Sequence, residues 1–352
     1  MGVGTPPQLI TAILDTGSSD LIISGTGSEI CQDKQEQCSG TPFVTGSFDT
    51  DRDTSITDAN TELNTSFANG AVFQGGFIKT ILTLDNQSVS DSQPRVIEQG
   101  LLPSGNPLFS IFGIGPIENG VVQPPYQNTL ANLKDTGAIN TNADIGILLT
   151  GSPEGSIVFG SVDTAKFQSP LQDVGSLLLN NRGVASQFVI DFSSMQLVSG
   201  NPSSSRSNVD LAPRDGLPPA LMDTGNPSLN ISSASLRAMA MAIGASFDDQ
   251  AGQMGSVPCN LGSRGESLSF GFNNNQAKIS TPLAAMFVRD SSSGTTECFL
   301  SMFSPDGDDT ASLGAPFMQG AYIVFDLDQK KIMMANANIN ATNSNLQKLD
   351  VL

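Results

Sequence analysis

Apolar residues along the chain come in short runs closed by Gly, Ser, Thr, Asn or Asp, which is the punctuation of many short strands. Residues 9–14 and Leu21-Ile22-Ile23 read as two strands flanking a turn. Phe67-Ala68-Asn69-Gly70-Ala71, set between apolar-patterned runs, reads as a hairpin tip, and residues 155–167 read as a further strand. Helical spacing is confined to two places. Residues 232–245 carry Leu236, Met239, Met241 and Ile243, with Ser N-cap candidates before them and Gly244 near the end. Leu130 and Leu133 mark a shorter helix ended by Gly137. The methionine stripe of the first helix reads as core. The predicted class is therefore all-β: mainly β with a few short helices.

Two of these apolar runs end alike. Ile13-Leu14 delivers Asp15 into Thr16-Gly17, and Leu221-Met222 delivers Asp223 into Thr224-Gly225, more than half a chain later. Two such aspartates, one from each half, predict a single site with two carboxylates. At about 3 Å and an effective dielectric of about 20, their mutual repulsion is roughly 5 kcal/mol, so the pair keeps one proton in acid. One member then acts as base while the other acts as acid, which suits activating water against a peptide carbonyl. A third copy, Asp135-Thr136-Gly137, follows Lys134 at the end of the short helix and reads as structural.

Asp15-Thr16-Gly17-Ser18-Ser19-Asp20-Leu21, after Gly4-Thr5-Pro6-Pro7-Gln8, resembles the first half-site of the pepsin-like aspartic proteases, with a form similar to fungal secreted candidapepsins and yapsins. The resemblance extends over nearly the whole chain. It includes Phe159-Gly160-Ser161-Val162-Asp163, Ile111-Phe112-Gly113-Ile114-Gly115, Leu313-Gly314-Ala315-Pro316-Phe317 and residues 321–326. It implies two similar β-rich lobes, 1–169 and 170–352, with a substrate cleft between them. The lobe boundary falls before Pro170 with no low-complexity linker, and the residues after Asn336 read as a polar tail.

By resemblance Asp15 and Asp223 hold the attacking water, and Thr16 and Thr224 cross-link the two turns. Gly17 and Gly225 donate backbone N–H groups, and Ser18 bonds the outer oxygen of Asp15. Four positions depart from the pattern. Asn226, followed by Pro227, stands where Ser or Thr is expected; Ser312-Leu313-Gly314 is less apolar than its counterpart; and the flap loses its tyrosine. The first tyrosine in the chain is Tyr126, so Phe67 replaces the flap tyrosine beside Asn69 and Gly70, and Ile22 replaces the tryptophan.

The chain lacks histidine altogether, which excludes Ser-His-Asp and Cys-His machinery and the His-containing zinc motifs. Net charge is −18, from 16 Lys and Arg against 34 Asp and Glu, which opposes nucleic-acid binding and suits acidic surroundings. No cofactor or metal is expected. Asp49, Asp51 and Asp53 alternate like a calcium loop, but Thr54 and Asn60 stand where Gly and Glu are required, so a solvated loop is expected. Likewise 305–309 reads as a tight turn.

Cysteine order, together with the resemblance, suggests Cys31–Cys38 and Cys259–Cys298. A tetrathiolate zinc site is the alternative, against which stand the C-x₆-C and C-x₃₈-C spacings. Disulfides imply an oxidising compartment, and sequons at Asn64, Asn86, Asn230 and Asn340 agree. No apolar run reaches membrane-spanning length, and no signal peptide is present, so the chain reads as a mature or trimmed secreted form, with a cell-surface or vacuolar location as the alternatives. The expected function is a monomeric secreted acid endopeptidase acting on an extended peptide or protein; the alternative is a weak or inactive homologue that binds peptides.

Overall fold

The computed structural model describes residues 1–32, 46–67, 70–85, 87–102, 109–120, 126–139, 144–149, 155–200, 208–289, 296–304 and 310–349. Strands dominate and the helices are short, as the apolar pattern predicts. Packing divides the chain into two compact units, Met1–Thr141 and Asn142–Leu352. That division lies before the expected lobe boundary near residue 170, and the reason is sheet pairing. Strands Asp144–Leu149 and Gly155–Phe159 join Ala321–Asp326, Lys331–Asn336 and Gln172–Ser176 in one five-stranded sheet. Residues 144–159 thus fold with the second unit.

Each unit holds the same four-strand arrangement. In the first, Ala12–Asp15 runs parallel to Ser110–Gly113, which pairs antiparallel with Leu21–Ser24, itself parallel to Arg95–Leu101. In the second, Ala220–Met222 runs parallel to Ala311–Leu313, which pairs antiparallel with Leu229–Asn230, itself parallel to Met302–Phe303. An aspartate turn therefore leaves its strand, returns on the next-but-one strand, and is crossed by a strand inserted between them. The apolar-apolar-Gly segments supply that inserted strand, and their glycines are sterically required. A Cβ on Gly113 would lie 2.5 Å from Asp20 N, and one on Gly314 would lie 2.2 Å from the Asn226 carbonyl oxygen.

The helix Ser233–Ile243 starts at Ser232, whose hydroxyl caps Ser235 N, and ends at left-handed Gly244. Leu236 and Met239 are buried, whereas Met241 is exposed, which corrects its place in the core stripe. Two residues along a helix is about 200° of rotation, so Met239 and Met241 cannot share a face. The helix Thr129–Asp135 is capped by Asn128, and Gly137 follows at positive φ. Asp135 accordingly ends a helix and follows no strand.

Two loops differ from expectation. Asp49 caps the short 3₁₀ turn Thr50–Arg52, but Asp53 is buried, not solvated. It accepts hydrogen bonds from Thr5 N, Ser55 N and Ser55 Oγ, and from Thr80 Oγ1. The polar residues after Asn336 do not trail away. Ala337 bridges to Phe167, Lys166 Nζ donates to the Ala341 carbonyl, and Leu346–Gln347 pairs with Val162–Asp163. The expected turn at 305–309 lies outside the described residues.

Candidate active site

Asp15 is the last residue of its strand and is nearly buried, 8% exposed. Its carboxylate is oriented by its own turn: Gly17 N donates to Oδ1 at 2.8 Å, and Ser18 Oγ donates to Oδ2. Both donors fix the plane of the carboxylate. The backbone is held as firmly, with Ile114 N donating to the Asp15 carbonyl at 2.9 Å and Gly115 N to the Ser18 carbonyl at 2.8 Å. Farther round the turn, Ser19 Oγ donates to the Pro116 carbonyl and Asn119 Nδ2 to the Gly17 carbonyl. Asn128, which caps the helix ending at Asp135, also donates Nδ2 to the Gly115 carbonyl. The third Asp-Thr-Gly thus belongs to a helix that braces the first.

The second turn is built the same way as far as Gly225. Asp223 N donates to the Leu313 carbonyl, and Gly225 N donates to Asp223 Oδ1 at 3.0 Å. It differs at the next residue. Asn226 directs Nδ2 to Ser312 Oγ at 2.8 Å, while its Oδ1 accepts from Ser228 N and Ser228 Oγ. Thr16 is buried and Thr224 half-buried.

The hairpin predicted around Phe67 is present. Thr57–Ser66 pairs with Val72–Leu84, Phe67 N donates to the Ala71 carbonyl, and Gly70 closes the tip at positive φ. Asn69 lies outside the described residues. Phe67 packs against Phe73, with ring centroids 5.4 Å apart, on an apolar cluster that contains Ile22, Ile30, Ala71 and Ile97. The two substitutions that remove the tyrosine and tryptophan of the resemblance therefore sit on one hydrophobic cluster.

Cys259 and Cys298 form a disulfide. Cys31 is also disulfide-bonded; Cys38, its expected partner, lies outside the described residues, as does Asn86. Asn64 and Asn340 are exposed, while Asn230 is half-buried in a strand and its Oδ1 accepts from Ser228 Oγ. Among the described residues no cluster of His, Cys, Asp or Glu is arranged to hold a metal, and no helix is long and apolar enough to cross a membrane.

One group near the first turn escaped the sequence reading. Asp20, buried at 4% exposure, accepts a hydrogen bond of 2.7 Å from Tyr126 Oη, and the fully buried guanidinium of Arg95 acts on it electrostatically. Burial, then the Asp20 charge and this hydrogen bond, push the tyrosine hydroxyl far above its ordinary value of 10. The available signal was an arginine between Pro94 and Val96 at the start of a strand whose other charge is Glu98.

The family model for eukaryotic aspartyl proteases matches residues 1–337, and the chain belongs to that family. Its similarity to individual members is broad and modest. It is 28% identical over 356 residues to a probable aspartic-type endopeptidase, opsB, of Aspergillus oryzae, covering 99% of this chain and 69% of that protein. It is 27% identical over 361 residues to the aspartic proteinase yapsin-3 of Saccharomyces cerevisiae, covering 99% and 67%. With secreted aspartic protease 7 of Candida albicans it shares 26% over 362 residues, covering 96% and 59%.

Proposed function

We propose that the protein is a secreted acid endopeptidase in which Asp15 and Asp223 share a proton and activate one water against a peptide carbonyl. The observation that carries this reading is the paired construction of the two turns. Each ends a strand that is parallel to an apolar-apolar-Gly or Ser-Leu-Gly strand, and each receives its own glycine N–H on Oδ1, at 2.8 and 3.0 Å. The two carboxylates are supported alike by these glycines, and the turns differ at the residue after the glycine, Ser18 against Asn226. In the reaction the ionised carboxylate takes a proton from water as oxygen attacks the carbonyl carbon. The protonated carboxyl donates to the carbonyl oxygen; as the C–N bond breaks, the carboxyl that took the water's proton gives it to the leaving nitrogen, and the other carboxylate takes a proton back from the diol. Thr16 and Thr224 are assigned the role of holding the turns, and Phe67, Asn69 and Gly70 that of covering an extended substrate.

The cysteine chemistry supports an oxidising destination, and exposed Asn64 and Asn340 suit glycan addition there. Each catalytic aspartate is assigned to its own lobe, Asp15 to the first and Asp223 to the second, with residues 144–159 counted in the second, and the protein acts as a monomer. The decisive experiment is incubation with an unstructured protein from pH 2.5 to 7. Cleavage in acid, lost toward neutrality, abolished by Asp15→Asn and by Asp223→Asn, and blocked by a peptide analogue with a central hydroxyl is the expected result. Retained cleavage in Asp15→Asn, or loss on chelation, overturns it. A second reading, a peptide-binding homologue of weak activity, is favoured by Asn226, whose amide is committed to Ser312. Analogue binding without cleavage at any pH would establish it.

A further inference from the structure

The reaction uses Asp15 and Asp223, yet the most heavily buried charges of the first unit lie just beyond the turn. Arg95 is 0% exposed and Asp20 is 4% exposed. Two charges removed from water carry a desolvation cost that a well-packed apolar pair would avoid, so their presence calls for a purpose in geometry.

The geometry leads to the turn. Asp20 is where the segment starting at Asp15 rejoins the sheet: its carbonyl accepts from Gly113 N at 3.0 Å, and Gly113 is the register partner of Asp15. A single Cβ at Gly113 would fall 2.5 Å from Asp20 N and 2.6 Å from its carbonyl oxygen, so the two backbones are in direct contact. A displacement of Asp20 therefore moves the strand that sets the height of the catalytic carboxylate. The side chain of Asp20 is held from two directions. Tyr126 Oη donates to Oδ1 at 2.7 Å. Arg95 stands at the register position of Ile22 on one side and of Phe77 on the other.

Phe77 joins the two holders. The guanidinium carbon lies 5.7 Å from its ring centroid, and the Tyr126 ring meets it edge-on at 5.3 Å between centroids. No nitrogen of the Arg95 side chain has a hydrogen-bond partner among the described residues, so its action on Asp20 is electrostatic and on Phe77 is a cation–π contact.

We propose that Asp20, clamped by Tyr126 and Arg95, is a positioning residue for Asp15: it touches neither substrate nor the attacking water, and it fixes the rim of the first Asp-Thr-Gly turn. The proposal rests on the protease reading given above. Misplacement of a catalytic group by a fraction of an ångström costs rate and leaves substrate affinity largely alone. Asp20→Asn and Tyr126→Phe keep the shape of the cluster and weaken the clamp; each is expected to lower kcat by about tenfold or more with KM changed less than about twofold.

Asp20→Asn alone leaves the Arg95 charge buried and uncompensated and lowers stability. The double variant Asp20→Asn with Arg95→Met removes both charges and recovers the melting temperature. It is expected to fold as well as wild type and to keep the low kcat. Recovery of kcat together with stability overturns the proposal, because the cluster is then only structural. Should wild type prove inactive, the protease reading fails, and the clamp is read by binding instead. Asp20→Asn must then weaken a hydroxyl-bearing peptide analogue about tenfold more than the matching plain peptide; equal weakening of both overturns it.

Discussion

Asn226 Nδ2 and Ser312 Oγ lie 2.8 Å apart, and each departs from the residue type expected in its own segment. Asn226 stands where a hydroxyl residue is expected, and Ser312 where the inserted strand should be apolar. The two departures are therefore one substitution made in two places, a polar pair in place of a hydroxyl and an aliphatic side chain. Ser312→Ala should lower stability by about 1 kcal/mol, because the Asn226 amide loses its acceptor in a half-buried position. In a double-mutant cycle with Asn226→Ser, the denaturation midpoints should show coupling of about 0.5 kcal/mol or more, and strict additivity would show that the residues act independently.

Phe67→Tyr should change kcat/KM by less than about twofold, because a hydroxyl added over the Ile22, Ile30, Phe73 cluster finds no apolar neighbour able to accept from it. A large rise in steady-state turnover would mean that the flap gains a polar partner elsewhere. Ile22→Trp is a different matter. Ile22 is almost fully buried, so a ring there overpacks the cluster and should cost about 1–3 kcal/mol in chemical denaturation.

The Cys259–Cys298 bond links residues 39 positions apart. Replacing both cysteines with serine should destabilise the protein by about 3–4 kcal/mol, from the loop entropy regained by the unfolded chain. Guanidinium unfolding of the pair variant would measure it. A loss below about 1 kcal/mol would show that the segment is held by its packing alone.

Asp53 is a carboxylate of the first unit whose ionised form the fold favours. Burial raises its pKa, but donors from Ser55, Thr80 and Thr5 more than offset this and hold it below the ordinary 3.8. A folded pKa below the unfolded one means that the stabilisation is complete above about pH 4 and fades as pH falls through the folded value. Asp53→Asn should therefore flatten the dependence of melting temperature on pH between about 5 and 2. An unchanged slope would assign the acid response to other carboxylates.

What could be read from the sequence is what short-range pattern encodes. Asp15 and Asp223 each follow two apolar residues and enter Thr-Gly, so strand and turn are both local properties. The helix 233–243 shows its N-cap serine and its terminal glycine in the same way. The roles of Asp53, Arg95 and Asp20 were illegible because their partners lie far along the chain: Asp53 meets Thr5 and Thr80, and Asp20 meets Tyr126 across a separation of 106 residues. Polarity misled for the same reason at residues 337–349, where hydrophilic side chains bond to other parts of the protein instead of to water. Met241 shares its residue type with Met239 but, two positions along the helix, faces away from it.

The fastening of residues 344–347 onto residues 162–163 turns the greater part of the second unit into a closed ring. Asn345 N and Ser344 Oγ both donate to the Asp163 carboxylate, and the first of these bonds spans 182 positions. One carboxylate sits within that clasp, beside the strand pairing and the bonds of Thr164 and Lys166. Burial raises the pKa of Asp163, while Asn345, Ser344, Ala165 and the Lys166 charge together bring it below 3.8. The contribution of Asp163 to the clasp is therefore complete above about pH 4 and fades as pH falls through the lower, folded value. In hydrogen exchange the Asn345 amide should lose protection in strong acid ahead of the strands at 321–326, and Asp163→Asn should make that loss independent of pH. The ring would then open from its seam, with its five-stranded sheet still closed behind it.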